Sequence, residues 1–168
     1  RIGTMHLRYE KLGYLQQEIG TNCQLTYAGQ YDWSIVFPNQ LDNPLIYNLK
    51  NLELWEKLSQ EKFIPHDYKI ASKEQRWDLI RGLFDTDGSV SKSDVEFSST
   101  SQLMATQVHL ALSLFGIVSS LRMKKTKSPF GKTWRISIRG ENRKLFHDRV
   151  GFRLARKQER LNSLTEGL

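Results

Sequence analysis

Two carboxylates spaced two residues apart, Asp85 and Asp87, close the stretch Ile80–Gly88, I-R-G-L-F-D-T-D-G. The residues before them recur at helical spacing, so the pair falls at the C-terminal end of a helix. Negative side chains there oppose the helix dipole, and something positive should compensate. A divalent metal with oxygen ligands is the candidate. The histidines (His6, His66, His109, His147) have no metal-ligand spacing and read as structural or surface residues. Cys23 is the single cysteine, which leaves out a disulfide framework and a cysteine metal site.

The helix that carries the carboxylates starts at Ser72, where Gln75 completes a capping box. Trp77, Ile80 and Phe84 lie on one side of it; Leu79, Gly82, Leu83 and Thr86 lie on the other. A surface helix needs one apolar face, and a helix with two is sandwiched. Gly82 costs about 1 kcal/mol against alanine in a helix interior, which makes sense if another backbone comes close. Gly88 is placed to adopt the positive φ of a C-cap.

The 168 residues are 39% hydrophobic, enough for a core in one domain or two joined halves. No apolar run is long enough for a membrane span. With no signal peptide or Arg-rich leader in view, the expected location is intracellular, with cytoplasm, nucleoid and organelle all open. The net charge is +7, and its distribution is uneven. Residues 1–68 hold six Lys/Arg and eight Asp/Glu; residues 69–168 hold nineteen and ten. Between Arg122 and Arg160 there are fourteen basic and three acidic residues, a field that points to a polyanion.

Taken in order, the chain predicts a helix over 4–20 and a hairpin over 22–37, with Cys23, Leu25, Tyr27, Trp33, Ile35 and Phe37 inward. A helix over 48–59 follows, then the central helix. A hairpin of 89–92 and 94–100 has Val95 and Phe97 inward. After it come a helix over 102–115 stopped by Gly116, a second hairpin of 117–125 and 132–139, and helices over 141–149 and 155–164. The order helix, glycine, strand, turn, strand with Trp, helix occurs at 12–58 and again at 108–150, an internal repeat. The expected organisation is therefore the back part of a first repeat at 1–68 and a complete second repeat at 69–168.

The stretch Ile80–Gly88 resembles the LAGLIDADG motif of homing endonucleases. It keeps Gly82, Leu83, Asp85, Asp87 and Gly88. Ile80 and Phe84 are conservative changes, and Arg81 and Thr86 depart where the family is loose. The resemblance implies an α+β fold of αββαββα repeats with antiparallel DNA-binding sheets. It also implies two signature helices packed together, here through Leu79, Gly82, Leu83 and Thr86. Their terminal Asp residues would hold Mg²⁺ or Mn²⁺ over duplex DNA and hydrolyse phosphodiesters on both strands. Asp87 would be the metal ligand and catalytic carboxylate, and Asp85 a capping or interface residue. Lys62, in K-F-I-P, and Lys157, in A-R-K-Q-E-R-L, resemble the lysines the family places near the scissile phosphates.

DNA would lie across the sheet faces, since an antiparallel ribbon fits the major groove. The outward set is Glu96, Ser98, Arg122, Lys124, Arg135, Ser137 and Arg139 in the second repeat, and Gln24, Thr26 and Ser34 in the first. Lys125, Lys127 and Lys132 at a hairpin tip would touch phosphate. Only one signature copy is present, so the missing helix is expected from an upstream fragment or from a second copy of the chain. No intein splicing residues are evident. A non-catalytic DNA- or RNA-binding descendant, such as a maturase or transcription regulator, is the competing reading, and a purely structural domain is a third.

Overall fold

The computed structural model describes residues 24–29, 32–38, 43–126 and 131–167. The chain forms two compact units, 1–55 and 56–168. The helix expected over 4–20, together with Cys23 and Lys127, lies outside the described residues.

In the first unit β1 (Gln24–Gly29) pairs antiparallel with β2 (Asp32–Val36), with Thr26 opposite Ser34 and Gln24 opposite Val36. Phe37 is buried as expected, but Tyr27 is 57% exposed. A two-stranded ribbon has few side chains with which to cover an aromatic ring. Helix α1 runs Pro44–Asn51, earlier than the expected 48–59. Asn43 sets its start by accepting from the amides of Leu45 (3.0 Å) and Ile46 (3.2 Å). Pro44 at the first helical position loses nothing, because its missing N–H would have been an orphan. Beyond Asn51 the positive φ of Glu53, 56°, breaks the helix.

The second unit begins with a 3₁₀ turn at Ser59–Glu61 and the short helix α2 (His66–Ile70). Helix α3 (Lys73–Asp87) follows, then β3 (Gly88–Val90), β4 (Val95–Ser99) and α4 (Gln102–Leu114). Strands β5 (Ser120–Lys125) and β6 (Lys132–Ile138) and helices α5 (Asn142–Arg149) and α6 (Ala155–Thr165) complete it. The sheet order is β3-β4-β6-β5, with every pair antiparallel. Helices pack on one face. There Ile80 and Phe84 of α3, Val95 and Phe97 of β4, Val108 and Leu112 of α4, and Ile136 and Ile138 of β6 share one core. Phe84 anchors it, with ring centroids 5.4 Å from Phe97 and 4.7 Å from Phe146.

The capping box of α3 forms: the Gln75 amide donates to Ser72 Oγ at 3.3 Å and the Ser72 amide to Gln75 Oε1 at 3.1 Å. The two faces differ as the spacing implies. Ile80 and Phe84 are wholly buried; Leu79, Gly82 and Leu83 are half-buried, and Thr86 is exposed. Gly88 does not adopt a left-handed cap. Its φ is −87°, extended, so that helix passes directly into strand. Glycine is required for a different reason: a Cβ here would lie 2.5 Å from the carbonyl oxygen of Phe84.

Candidate active site and nucleic-acid face

Asp87 is the last residue of α3 and is exposed. It lines a cleft of about 270 Å³ with Lys62, Ser59, Ser98, Ser99, Thr100 and Thr133. The segment carrying Lys62 is strapped to α4. Buried Ser101 donates from Oγ to the Lys62 carbonyl at 2.6 Å and accepts from the Met104 amide at 3.1 Å, capping α4. Two residues on, the Ile64 amide donates to Gln107 Oε1 at 2.7 Å. One hydroxyl thus fixes both the start of a helix and the backbone beneath the lysine. Thr86 turns its hydroxyl back to the Leu83 carbonyl at 2.9 Å.

Lys157 holds the end of the same helix, α3. It is not a lining residue of the cleft. Its Nζ donates to the carbonyls of Phe84 (2.9 Å), Asp85 (2.7 Å) and Gly88 (2.6 Å) at the C-terminal end of α3; the Phe84 carbonyl also accepts from the Gly88 amide. The positive charge that the acidic helix end calls for is therefore supplied by this ammonium.

Asp85 caps a different helix. Its carboxylate, 8% exposed, accepts from the backbone amides of Arg153 at 3.1 Å and Leu154 at 3.4 Å, just before α6 begins. Leu154 has no capping side chain of its own, so Asp85 satisfies donors that would otherwise be orphans. Burial pushes its pKa above the usual carboxylate value; the two amides, Lys157 and Arg153 pull against that without reversing it. On the same side of α3, Asp78 bonds Arg81 at 2.9 Å and Arg153 at 3.3 Å, a network that periodicity alone does not reveal.

The second face of the sheet carries the basic set. Arg135 of β6 lies opposite Ser98 of β4 on one side and Arg122 of β5 on the other; Thr133 lies opposite Lys124. Arg122 and Lys124 are exposed. Because Ser98 and Thr133 also line the cleft, Asp87 and Lys62 border this face.

The expected contact residues differ in their surroundings. Ser137 is on the face but only 8% exposed, so its neighbours cover it. Arg139 donates from Nε to Asp94 Oδ2 at 2.7 Å, and Arg135 pairs with Glu96 at 3.3 Å. Lys125 and Lys132 are exposed and face each other across the hairpin, one residue out of phase with the outward set. In the first unit Gln24, Thr26 and Ser34 are exposed. The Asp94 carboxyl is pushed up by burial but pulled further down by Ser93 and Arg139 hydrogen bonds and by the Arg139 and Arg143 charges, so it ends below its ordinary value. The hydroxyls Ser59, Ser99, Thr100 and Thr133 were not singled out from sequence. For Thr133 the signal was available, since it shares the β6 alternation with Arg135 and Ser137.

Residues 74–151 match the family model described as a LAGLIDADG-like domain. The fold is similar to the homing endonuclease I-DmoI in complex with DNA and Ca, at a TM-score of 0.57 and 11% identity, over 83% of this chain and 64% of that one. In the I-DmoI complex with DNA and Mn the figures are 0.57, 12%, 83% and 69%. Among curated proteins, the replication factor C small subunit of Thermococcus kodakarensis is 36% identical over 104 residues, 58% of this chain and 12% of the relative. A probable translation initiation factor IF-2 of Methanocaldococcus jannaschii is 32% identical over 140 residues, 80% of this chain and 12% of the relative. The ATP-dependent DNA helicase Hel308 of the same organism is 44% identical over 57 residues, 33% and 5%. The chain thus spans 12% or less of the length of each of these relatives. The signature stretch ends α3 above the antiparallel sheet, the family model matches over both, and the chain has the LAGLIDADG homing-endonuclease fold.

Proposed function

We propose that this chain is part of a complete two-repeat, site-specific double-strand DNA endonuclease that hydrolyses phosphodiesters with a divalent metal. The observation that carries the reading is the meeting of Asp87 and Lys62 in one cleft bordering a basic sheet face. The I-DmoI complexes with DNA, Ca and Mn support the same partner and cofactor classes. A segment that recurs within small portions of a replication factor C small subunit, a helicase and a probable initiation factor reads as an inserted element, in keeping with an intron- or intein-borne origin.

The donor set fits half a metal site. Among the described residues no cluster of three His, Cys, Asp or Glu could hold an ion. Asp87 offers one exposed carboxylate, and Mg²⁺ or Mn²⁺ is commonly bound by one or two carboxylates plus substrate phosphates. A bound ion would activate water and steady the developing charge. Asp87 would orient it from the end of a fixed helix. Lys62 would hold the phosphate next to it, its carbonyl pinned by Ser101. The basic face would grip the duplex and set its register.

The second carboxylate would come from another signature helix docked on the Leu79, Gly82, Leu83 and Thr86 face. A Cβ added at Gly82 meets nothing within 4 Å, so no described residue accounts for the glycine. Of the two sources, an upstream fragment is the better one, because residues 1–68 already read as the back part of a first repeat. The single carboxylate also gives a second reading, a DNA- or RNA-binding descendant without cleavage. The test is Mg²⁺-dependent plasmid cleavage by the chain with and without a signature-helix fragment. Cleavage only on addition supports the proposal. Tight binding with no cleavage under either condition selects the binding module, and site-specific cutting by the chain alone replaces the fragment with a homodimer.

A further inference from the structure

The pairing across the basic face separates its two neighbouring arginines into different roles. Arg122 and Arg135 are direct cross-strand partners, an arrangement in which like charges repel. Arg135 has an acidic companion: its Nη1 is 3.3 Å from Glu96 Oε1, and the side chains are 36% and 19% exposed. Its Nε is buried, without a hydrogen-bond partner. Arg122 is exposed and makes no hydrogen bond or ion pair among the described residues. One guanidinium is therefore held and the other is free to move.

We propose that Arg135, braced by Glu96, reads a guanine in the major groove, while Arg122 contacts backbone phosphate. The assignment rests on duplex DNA being the partner. Guanine presents O6 and N7 side by side, and a guanidinium meets both in a bidentate pair. Glu96 takes one N–H of Arg135, and a planar fork has others to offer. Bracing lowers the entropy lost when that pair forms. The strand neighbour on the β4 side is Ser98, small enough for a base edge to approach. A carboxylate on a DNA-facing sheet repels phosphate, so Glu96 costs general affinity; orienting Arg135 gives it a purpose there. A mobile arginine serves phosphate well, since that contact carries no directional code.

The experiment incubates the purified chain with a randomised duplex library and sequences the bound fraction, alongside salt titrations, for wild type, Arg135→Ala, Arg122→Ala and Glu96→Gln. The expected wild-type pool has a position with a guanine preference of about fivefold or more. Arg135→Ala should erase that preference alone. Arg122→Ala should lower affinity uniformly and reduce the salt slope by about one. Glu96→Gln should weaken the guanine preference while raising overall affinity, whereas a merely structural pair would leave the preference intact. A bound wild-type pool without a guanine position, or a guanine preference that survives Arg135→Ala, overturns the proposal. Failure of the wild type to bind any duplex instead overturns DNA as the partner, and this assignment with it.

Discussion

The Lys157 ammonium donates to the Gly88 carbonyl at 2.6 Å, and to two more carbonyls in the last turn of α3. A side chain near the C-terminal end of the second unit thereby holds the junction at which Asp87 leaves the helix. Replacing Lys157 with Met keeps the aliphatic stem and removes the donors. Because hydrogen bonds to a charged group contribute more than neutral ones, the loss should be about 1.5–3 kcal/mol in urea unfolding. An unchanged midpoint would show that the three contacts carry no stability.

The two buried carboxylates should respond to pH in opposite senses. Asp94 has its folded pKa lowered, so its stabilisation is present above its ordinary 3.8 and is lost as pH falls through the folded value. Asp94→Asn should cost about 1 kcal/mol at neutral pH, a figure kept small because Arg139 is 62% exposed, and should cost nothing at the acid end. Asp85 has its folded pKa raised from 3.8, so the fold holds the proton more tightly and loses stability as pH rises through that window. Asp85→Asn, which retains an acceptor for the Arg153 amide, should flatten the curve there. Urea midpoints across acid to neutral pH check both; slopes that do not separate in this way contradict the assigned environments.

Much of this arrangement was legible in the sequence, and the remainder failed for identifiable reasons. Ser72 and Gln75 marked the start of α3 because a capping box is a local device. Alternation in β4 and β6 assigned their faces because one face meets a core. Asn43-Pro44 is an equally local start signal, yet the helix expected over 48–59 begins after it. Gly88 was read for its φ when the constraint is close approach to Phe84. The destination of Lys157, 69 to 73 residues from the carbonyls it meets, depends on tertiary packing and leaves no periodic trace. The same holds for the pairing of Arg135 with Glu96, since strand phase gives a face but not a neighbour's rotamer.

Gly82 offers a test of the absent partner. Nothing lies within 4 Å of a Cβ placed there, so Gly82→Ala should stabilise the isolated chain by about 0.5–1 kcal/mol through backbone entropy. The same methyl should weaken docking of a second signature helix, read as lost binding of a signature-helix fragment. Equal fragment binding by both proteins would remove close helix packing as the reason for the glycine.

Binding to duplex DNA should weaken steeply with salt, given fourteen basic against three acidic residues between Arg122 and Arg160. If six phosphates are neutralised, log K should fall against log salt with a slope of roughly −5. A slope near zero in a fluorescence titration would remove nucleic acid as the main partner.

The central claim is that Asp87 is the catalytic carboxylate of a DNA-cleaving site. Asp87→Asn keeps the size of the side chain and the end of α3 while removing the charge a metal needs. The direct measurement is Mg²⁺-dependent plasmid cleavage by the chain complemented with a signature-helix fragment, run beside a duplex-binding titration on the same preparation. The account predicts cleavage by the wild type, none by the variant, and nearly equal affinities. Full cutting by Asp87→Asn would contradict it.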